Sequence, residues 1–492
     1  KSKKMKSDTK PNIHRAIAIG GTRGASGKTI VTLGLIRMLV KHGYSIAPFK
    51  KGPDYIDPQW LSLGAGNPCR NLDSFLMDDD TIRDSFTSLR EGTDISVIEG
   101  NRGLFDGLDI KGTYSFAELV KLLDIPLILV VDCKKASRSV AAVIHGFQTF
   151  DPDLRIHGVI INNFAGMRHK KIITETIETH CKIPVLGAIP RITDFMLDER
   201  HLGLEPIHEH RNPEQVLELI DKVFADAINI EEIIRISESI PLHNNRSDST
   251  IILNHDDNVS TAVRCGAHGN SQTRINPAPA VSNISLSRKR TGIIRDSSFN
   301  FYYIESLELF EHHTEVRYIN SLSDATLPDI DSLYIGGGFP ETHAKQLSAN
   351  TALRNDIRTF VERGFPVYAE CGGLIYLSQA IISEKNEFPM VGIFPYQFKL
   401  TDKPVGHGYT TFQVDKDNPF YQTGSVVKGH EFRYSRIINA HECKDVPTAF
   451  AMLRGQGIMD KRDGSLYKNT LATFSHTHPF SYNAMWMKHC IE

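Results

Sequence analysis

Six short, almost wholly apolar runs recur through the first 225 residues, and they constrain the fold of this chain more than any other feature. Each run is followed by a longer segment with helical spacing. Continuous apolar strands that alternate with helices are typical of a parallel sheet covered on both faces. We therefore predict a doubly wound α/β domain whose strands are 16–20, 45–50, 95–100, 126–132, 157–163 and 184–190.

The α/β pattern resumes after a polar stretch. Residues 241–288 are rich in Asn, Ser, Arg and Pro, which indicates an exposed linker. Beyond it, the apolar runs are 291–296, 314–320, 332–338, 365–373, 448–453 and 470–476. No fixed-period repeat relates the two halves, so we expect two different folds. The sequence thus predicts a disordered tail over 1–12, a first domain over 13–240, a linker over 241–288 and a second α/β domain over 289–492.

Composition excludes several classes of function. The formal charge of -2 gives no broad attraction for nucleic acid, and no apolar run approaches the roughly 18 residues of a membrane span. The opening KSKKMKSDTK lacks the apolar middle of a secretory signal. The seven cysteines are widely and irregularly spaced, which favours neither a disulfide framework nor a zinc site. We expect a cytoplasmic protein with no nucleic-acid partner and no membrane partner.

A glycine-rich stretch, GGTRGASGKT (20–29), follows the first predicted strand and opens a helix. Its glycines let the backbone wrap a phosphate, Lys28 supplies positive charge, and the Thr29 hydroxyl can hold magnesium. The usual spacing has glycine at position 22, where this chain has Thr22. The strand–loop–helix context still predicts a nucleotide phosphate site.

Two acidic stretches, KKGPDYIDP (50–58) and IEGNRGLFDG (98–107), follow neighbouring predicted strands. Carboxylates just past the ends of parallel strands meet at the edge that carries the phosphate loop. We therefore expect Asp54 and Glu99 to complete a magnesium shell with Thr29, and Asp57 and Asp106 to lie near an acceptor substrate. The alternative is that these residues only shape turns.

A cysteine in the second half stands between a strand and two glycines, in AECGG (369–373). Such an elbow exposes a side chain and points a helix N-terminus at it, although free cysteines are often buried core residues. Three further runs favour a nucleophile: LYIGGGFPE (333–341), whose glycine amides could bind an oxyanion, FSHTH (474–478), which offers an imidazole base, and GHEFRYS (429–435), a polar run between strands.

These motifs resemble a known family. GTRGASGKT, FKKGPDYIDP, NLDSF (71–75), IEGNRGLFDG and ERHLGL (199–204) are similar to the amino-terminal domain of the cobyrinic acid a,c-diamide synthase family, itself similar to dethiobiotin synthetase and the partitioning ATPases. GGGFPE, AECGG, GHEFRYS and FSHTH resemble the class I glutamine amidotransferase domain of the same family. The resemblance implies two doubly wound α/β domains, a dethiobiotin synthetase-like P-loop NTPase domain followed by a class I glutamine amidotransferase-like domain.

The resemblance also implies roles for single residues. Cys371 would be the nucleophile and His476 its base, since ATFSHTH matches the family pattern at His476 better than at His478. Many class I glutaminases carry an acidic residue where this chain has His478, so the third member of the triad stays open. The remaining implied residues are Gly337 and Gly338 for the oxyanion, Gly21, Thr22, Gly24, Gly27, Lys28 and Thr29 for ATP, Thr29, Asp54 and Glu99 for Mg²⁺, and Tyr55, Asp57, Arg102 and Asp106 for the acceptor.

The implied reaction is the amidation of the a- and c-acetates of cobyrinic acid, in cobalamin biosynthesis, with ATP and L-glutamine as cosubstrates. Another tetrapyrrole, such as sirohaem or nickel-sirohydrochlorin, is the alternative acceptor, because NRGLF (101–105) departs from the VMGLY of some cobyrinate enzymes. A partitioning-type ATPase switch is an alternative of another class, in which Arg23 takes the place of a signature lysine. A homodimer is compatible with each of these.

Overall fold

The chain forms two α/β units, one before and one after residues 241–288 in the sequence. The computed structural model describes residues 15–89, 92–192, 207, 210, 212–238, 288–383, 386–481 and 487–491. The predicted tail 1–12, the ERHLGL motif and the predicted linker 241–288, save its last residue, lie outside the described residues.

The amino-terminal unit is a seven-stranded sheet in the order β3-β2-β4-β1-β5-β6-β7, with every neighbouring pair parallel. Its strands are β1 (Arg15–Gly21), β2 (Ile46–Lys51), β3 (Arg70–Leu72), β4 (Ile95–Glu99), β5 (Leu127–Asp132), β6 (Ile156–Phe164) and β7 (Val185–Pro190). The six predicted strands match all of these except β3, which has three residues and no apolar run.

Helices connect these strands and cover both faces of the sheet. They are α1 (Lys28–Lys41), α2 (Asp57–Ala65), α3 (Asp79–Ser88), α4 (Phe116–Leu123), α5 (Ser139–Phe150), α6 (Met167–Cys181), α7 (Pro213–Phe224) and α8 (Ile230–Ser237). Successive side chains of β1 enter opposite cores: Ala16 and Ala18 pack in one hydrophobic cluster, Ile17 and Ile19 in the other. Burial on both faces explains why these strands are almost wholly apolar, and the predicted doubly wound class is confirmed for this unit.

The carboxy-terminal unit is built on a nine-stranded mixed sheet in the order β10-β8-β11-β13-β22-β21-β20-β17-β18. The strands on the β10 side, up to β22, are parallel, and the rest are antiparallel. The sheet consists of β8 (Arg290–Ile294), β10 (Glu315–Ile319), β11 (Ser332–Ile335), β13 (Val367–Glu370), β17 (Gly406–Val414), β18 (Val426–Arg433), β20 (Thr448–Arg454), β21 (Arg462–Tyr467) and β22 (Thr470–Thr473).

Smaller elements complete this unit. Two short strands, β9 (Phe299–Phe301) and β12 (Gly337–Gly338), pair with each other, and a four-stranded sheet contains β14 (Ala380–Ser383), β15 (Asn386–Pro389), β16 (Gln397–Leu400) and β19 (Ser435–Ile437). The helices are α9 (Ile304–His313), α10 (Ala344–Ala349), α11 (Thr351–Glu362), α12 (Gly372–Leu377) and α13 (Lys488–Ile491). Among the described helices, none combines the length and the apolar composition that crossing a membrane requires. All six described cysteines are free thiols.

Polar contacts join the two units. Lys51 Nζ donates to the Tyr409 hydroxyl at 3.1 Å, and that hydroxyl donates to Asp73 Oδ2 at 2.7 Å. Arg70 and Glu308 form an ion pair at 2.8 Å. Because Lys51 and Asp73 are buried, Tyr409 supplies a hydrogen-bond partner that each of them needs. These contacts hold the amino-terminal and carboxy-terminal units against each other.

Candidate functional site

The predicted phosphate-binding residues lie at the junction of β1 and α1. Gly21 ends the strand, Thr22 and Gly24 lie in the loop, and Gly27 precedes the helix. Gly27 has a φ of 85°, and a Cβ at this position would lie 2.1 Å from Asn162 Nδ2. The loop conformation therefore requires glycine at position 27. The backbone amides that follow belong to the helix N-terminus, which is the usual cradle for a phosphate.

Lys28, the first residue of α1, connects this loop to the loop that follows β4. Its Nζ donates to the carbonyl of Arg23 at 3.2 Å and to that of Arg102 at 2.6 Å. Burial and the charge of Lys50 lower the pKa of Lys28 to about 8. The guanidinium of Arg23 itself donates to Asp132 Oδ2, at 2.6 Å. Lys28 is thus held where its ammonium can meet phosphate oxygens.

An acidic group surrounds the Thr29 hydroxyl. Thr29 Oγ1 donates to Glu99 Oε1 at 2.8 Å and to Asp57 Oδ2 at 3.2 Å. Lys50 Nζ lies 2.7 Å from Glu99 and 2.5 Å from Asp57, but 3.8 Å from Asp54. The structure therefore brings Thr29 and Glu99 together with Asp57. Asp54 has a different contact, because its Oδ1 accepts the backbone amides of residues 56 and 57 and so shapes the loop.

The positive charge of Lys50 compensates the negative charges of the surrounding carboxylates. Burial alone would lower the pKa of Lys50, but the carboxylates of Asp57, Glu99 and Asp54 raise it well above its usual value. Burial raises the pKa of Glu99, whose Oε2 is buried without a hydrogen-bond partner. Among the residues described, no three His, Cys, Asp or Glu side chains form a metal site by themselves. Two carboxylates and a hydroxyl beside a phosphate loop nevertheless suit Mg²⁺, which takes few protein ligands and completes its shell with phosphates and water.

Arg102 and Asp106 lie in the loop after β4. Asp106 Oδ2 accepts the amide of Gly103 at 2.8 Å, and the exposed Arg102 has a φ of 43°. The Arg102 carbonyl is the acceptor for Lys28. This loop therefore borders the phosphate site. The roles of both side chains toward an acceptor stay predictions.

Cys371 lies in a sharp turn where β13 ends and α12 begins. Its φ of 48° and ψ of -98° are strained for a residue with a side chain. Only 4% of Cys371 is exposed. The turn is close to the glycine strand β12, since a Cβ on Gly372 would lie 2.9 Å from the amide nitrogen of Gly338. The backbone forms the elbow that the AECGG sequence predicts, with the thiol at the start of a helix, but Cys371 is buried, whereas the sequence pattern predicts an exposed side chain.

His476 lies beside the thiol and completes a triad with Glu370. Burial alone would lower the pKa of His476, but its interactions with Cys371 and Glu370 raise it to about 10. His476 Nδ1 is 3.4 Å from Glu370 Oε2. The same carboxylate accepts from the Tyr334 hydroxyl at 3.1 Å and from the backbone amide of Thr477 at 3.3 Å. The arrangement is that of a cysteine nucleophile, an imidazole base and an acid that orients the imidazole.

Sequence reasoning missed Glu370, although it directly precedes the cysteine. Successive side chains of a strand point to opposite faces, so adjacency predicts no shared partner. The strained backbone of Cys371 changes that geometry. His478 pairs elsewhere, with its Nε2 3.6 Å from Glu305 Oε2.

Gly337 and Gly338 form β12, next to the imidazole. A Cβ on Gly337 would lie 2.5 Å from His476 Cε1. Gly337 therefore has to be glycine for the base to occupy its place. The Gly338 amide lies beside the elbow, as described above. This proximity is what a predicted oxyanion site requires, and that role stays a prediction.

The GHEFRYS run does not lie between strands as expected; most of it belongs to β18. Its buried polar side chains have partners in the loops that follow β20 and β22. Glu431 accepts the amides of Gln456 and Gly457, and His430 stacks on His476 with ring centroids 4.9 Å apart. Burial and the charge of His476 lower the pKa of His430 well below its usual value, so this second imidazole is neutral.

Comparisons with known proteins agree with this architecture. The family model of the CobQ/CobB/MinD/ParA nucleotide binding domain matches residues 17–204, and that of the CobB/CobQ-like glutamine amidotransferase domain matches residues 290–484.

Relatives span nearly the whole chain. It is 38% identical to a cobyrinate a,c-diamide synthase of Magnetococcus marinus, over 94% of this chain and 93% of the relative. It is 37% identical to that of Methanobrevibacter smithii, over 94% of this chain and 95% of the relative, and 35% identical to that of Archaeoglobus fulgidus, over 94% of each. With a phosphate loop in one half and a cysteine–histidine–glutamate site in the other, the chain belongs to the cobyrinate a,c-diamide synthase family.

Proposed function

We propose that this chain is a glutamine-hydrolysing carbon–nitrogen ligase, which uses ATP to amidate the a- and c-acetate carboxylates of cobyrinic acid. One observation carries the proposal: a single chain holds both a Cys371–His476–Glu370 site and a phosphate loop ringed by carboxylates. A glutaminase supplies ammonia, and a phosphate site activates a carboxylate to receive it. The acceptor follows from the relatives, which are named cobyrinate a,c-diamide synthases.

Glutamine hydrolysis begins at Cys371. Its thiolate attacks the side-chain amide carbon of glutamine, and the new C–S bond gives a tetrahedral oxyanion. We assign the stabilisation of this charge to the amides of Gly337 and Gly338, at about 3 kcal/mol per donor. The His476 imidazolium gives its proton to the leaving nitrogen, which departs as ammonia. Water, deprotonated by His476, then cleaves the thioester to glutamate and restores the thiolate.

Carboxylate activation takes place at the phosphate loop. An acetate oxygen attacks the γ-phosphorus of ATP. The bond between this phosphorus and the β,γ-bridging oxygen breaks, and ADP leaves. Lys28 stabilises negative charge on the transferring group. Ammonia then attacks the carbonyl carbon of the acyl phosphate, phosphate leaves, and loss of a proton from nitrogen gives the carboxamide.

We propose Mg²⁺ at the acidic group, held by Thr29, Asp57 and Glu99. The unpartnered Glu99 Oε2 is a free oxygen donor at this place. When bound, the ion neutralises charge on the phosphates. A free-thiol nucleophile suits a reducing compartment, so we place the enzyme in the cytoplasm. Homodimer formation stays a prediction, which sedimentation velocity would measure.

Replacing Cys371 tests whether glutamine hydrolysis and carboxylate amidation take place at separate sites. We expect Cys371→Ala to lower glutamine-dependent amidation by about 1000-fold or more, because no other thiol lies beside His476 among the described residues. Amidation with high ammonium should persist. Cys443→Ala, which removes another buried thiol of the same unit, is the matched control. Glutamate release by Cys371→Ala at the wild-type rate would contradict the assignment.

The acceptor needs a separate test. Purified protein is incubated with ATP, glutamine and, in parallel, cobyrinic acid, sirohaem or nickel-sirohydrochlorin, and the products are weighed by mass spectrometry. We expect two amidations of cobyrinic acid. Amidation of another macrocycle but not of cobyrinic acid would overturn the acceptor. Absence of glutamate release under every condition would overturn the reaction class and favour a nucleotide switch.

A further inference from the structure

Tyr55 belongs to the amino-terminal unit, but its ring lies among residues of the glutaminase. It stands in loop 52–56, between β2 and α2, and only 9% of it is exposed. The ring stacks on Phe301 at 5.2 Å between centroids, and it contacts Tyr303 at 4.9 Å and His430 at 5.6 Å. It also lies 5.3 Å from the ring of His476. An amino-terminal side chain thus forms part of the wall around the glutaminase base.

The contact with His476 has a steric consequence. Glu370 pairs with Nδ1 of this imidazole, and His430 stacks on it at an interplanar angle of 17°. Tyr55 meets the imidazole at 51°. Close packing of rings against a buried side chain restricts its rotation. The ring of Tyr55 therefore limits the rotation of the His476 side chain.

Tyr55 also supports the glycine strand. Phe301, on which Tyr55 stacks, pairs with Gly337 in the β9–β12 ladder. A Cβ on Gly337 would lie 3.2 Å from the Cβ of Phe301 and 2.5 Å from His476 Cε1. Phe301 and His476 therefore meet at Gly337. Displacing Tyr55 would leave both Phe301 and His476 less tightly packed.

The base of this loop is anchored at the phosphate site. Asp57, two residues after Tyr55, accepts hydrogen bonds from Thr29 and Lys50. Asp54 Oδ1 accepts hydrogen bonds from the backbone amides of residues 56 and 57. Tyr55 is thus held from the amino-terminal side by contacts that do not involve the glutaminase. Its position against His476 is fixed by the fold of both units.

We propose that Tyr55 is a positioning residue of the glutaminase, which holds His476 in the orientation that serves Cys371. The amino-terminal unit then supplies part of the glutamine-hydrolysing site. This inference rests on the proposed function, because it assumes that Cys371 and His476 hydrolyse glutamine.

Truncation of the ring tests the inference in the full-length protein. We expect Tyr55→Ala to lower kcat for glutamine hydrolysis by about 10–100-fold, the scale of a misplaced catalytic group, with KM for glutamine changed less than twofold. Ammonium-dependent amidation by Tyr55→Ala should fall far less than its glutamine hydrolysis, because Asp54 still accepts the amides of residues 56 and 57 and holds the loop at the phosphate site. Tyr55→Phe keeps the ring and should keep the wild-type rate. Phe75→Ala is the matched control, since Phe75 is an aromatic residue at the same interface that stacks on Tyr409.

The split between kcat and KM, together with rescue by the conservative variant, separates positioning from loss of stability. A lowered kcat at nearly unchanged KM, restored in Tyr55→Phe, indicates that the ring holds His476 in place. The inference is overturned if Tyr55→Ala keeps the wild-type glutaminase rate, if Tyr55→Phe is as impaired as Tyr55→Ala, or if Phe75→Ala is equally impaired. If the wild type forms no amide from either nitrogen source, it is the proposed function that fails.

Discussion

Glu370 and Cys371 are neighbours in the chain and serve the same imidazole. Glu370 pairs with His476 Nδ1, and Cys371 interacts with the same imidazole. The carboxylate is buried and accepts two further hydrogen bonds, from Tyr334 and Thr477. Its place is therefore fixed independently of His476. This rigidity is what an orienting acid requires.

Glutamine has nearly the same volume as glutamate but carries no charge. Replacing Glu370 with glutamine therefore tests the carboxylate itself and leaves the packing unchanged. We expect Glu370→Gln to lower kcat for glutamine hydrolysis by about 10²–10⁴-fold, because the amide neither fixes the tautomer nor stabilises the imidazolium. Ammonium-dependent amidation should be retained. Glu362→Gln, which alters a surface carboxylate paired with Lys468, is the control. A glutaminase rate within threefold of wild type for Glu370→Gln would exclude Glu370 from the triad.

The depressed pKa of Lys28 predicts a proton-linked step in nucleotide binding. In the protein without nucleotide this amine has a pKa of about 8 and loses its proton as the pH rises through that value. Phosphate oxygens favour the charged form, so ATP binding above pH 8 must take up a proton and weaken with rising pH. Calorimetry at pH 9, in buffers with different ionisation heats, should detect uptake of nearly one proton. Uptake that is the same at pH 7 and pH 9 would contradict this account.

Local motifs predict some site residues and not others. Lys28, Thr29 and Cys371 follow from short patterns because loop, helix start and elbow are local structures. Asp57 follows from its acidic stretch only as a residue near the acceptor, not as a partner of Thr29, and Glu370 does not follow from any motif. Asp57 reaches Thr29 only because Asp54 folds the intervening loop, and Glu370 reaches His476 only through the unusual backbone of the next residue.

At the level of elements, the short strand β12 determines how closely the base approaches the elbow. A side chain on Gly337 would overlap His476. We expect Gly337→Ala to displace the imidazole and lower the glutaminase rate by about 100-fold, with little effect on ammonium-dependent amidation. Gly146→Ala, where a Cβ meets nothing within 4 Å, is the control. Unchanged glutamine hydrolysis in Gly337→Ala would show that β12 does not set the position of the base.

Continuous apolar runs predict the buried parallel strands and the antiparallel β20, but not the polar β18. The six predicted strands of the first half are found because burial on both faces makes them uniformly apolar. Residues 426–433 form β18 even though GHEFRYS is polar, because His430 and Glu431 find partners in loops that lie against the strand. Buried polar side chains that are paired in three dimensions leave no such signal in the sequence.

At the scale of the whole molecule, two chemically complementary sites meet across one interface. Their motifs are separated by hundreds of residues, so the sequence predicts both sites but not the contacts between them. Tyr55 against His476 and Tyr409 between Lys51 and Asp73 are such contacts. Burial of these groups fits the need to keep ammonia and an acyl phosphate away from water.

The central claim is that nitrogen from glutamine at Cys371 reaches a carboxylate activated at the phosphate loop of the same chain. The direct measurement is the mass of the product formed from cobyrinic acid, ATP and glutamine labelled with nitrogen-15 in its side-chain amide, in the presence of unlabelled ammonium. We predict a diamide in which both new amides carry nitrogen-15. A product that carries only unlabelled nitrogen, or no amide at all, would contradict the account.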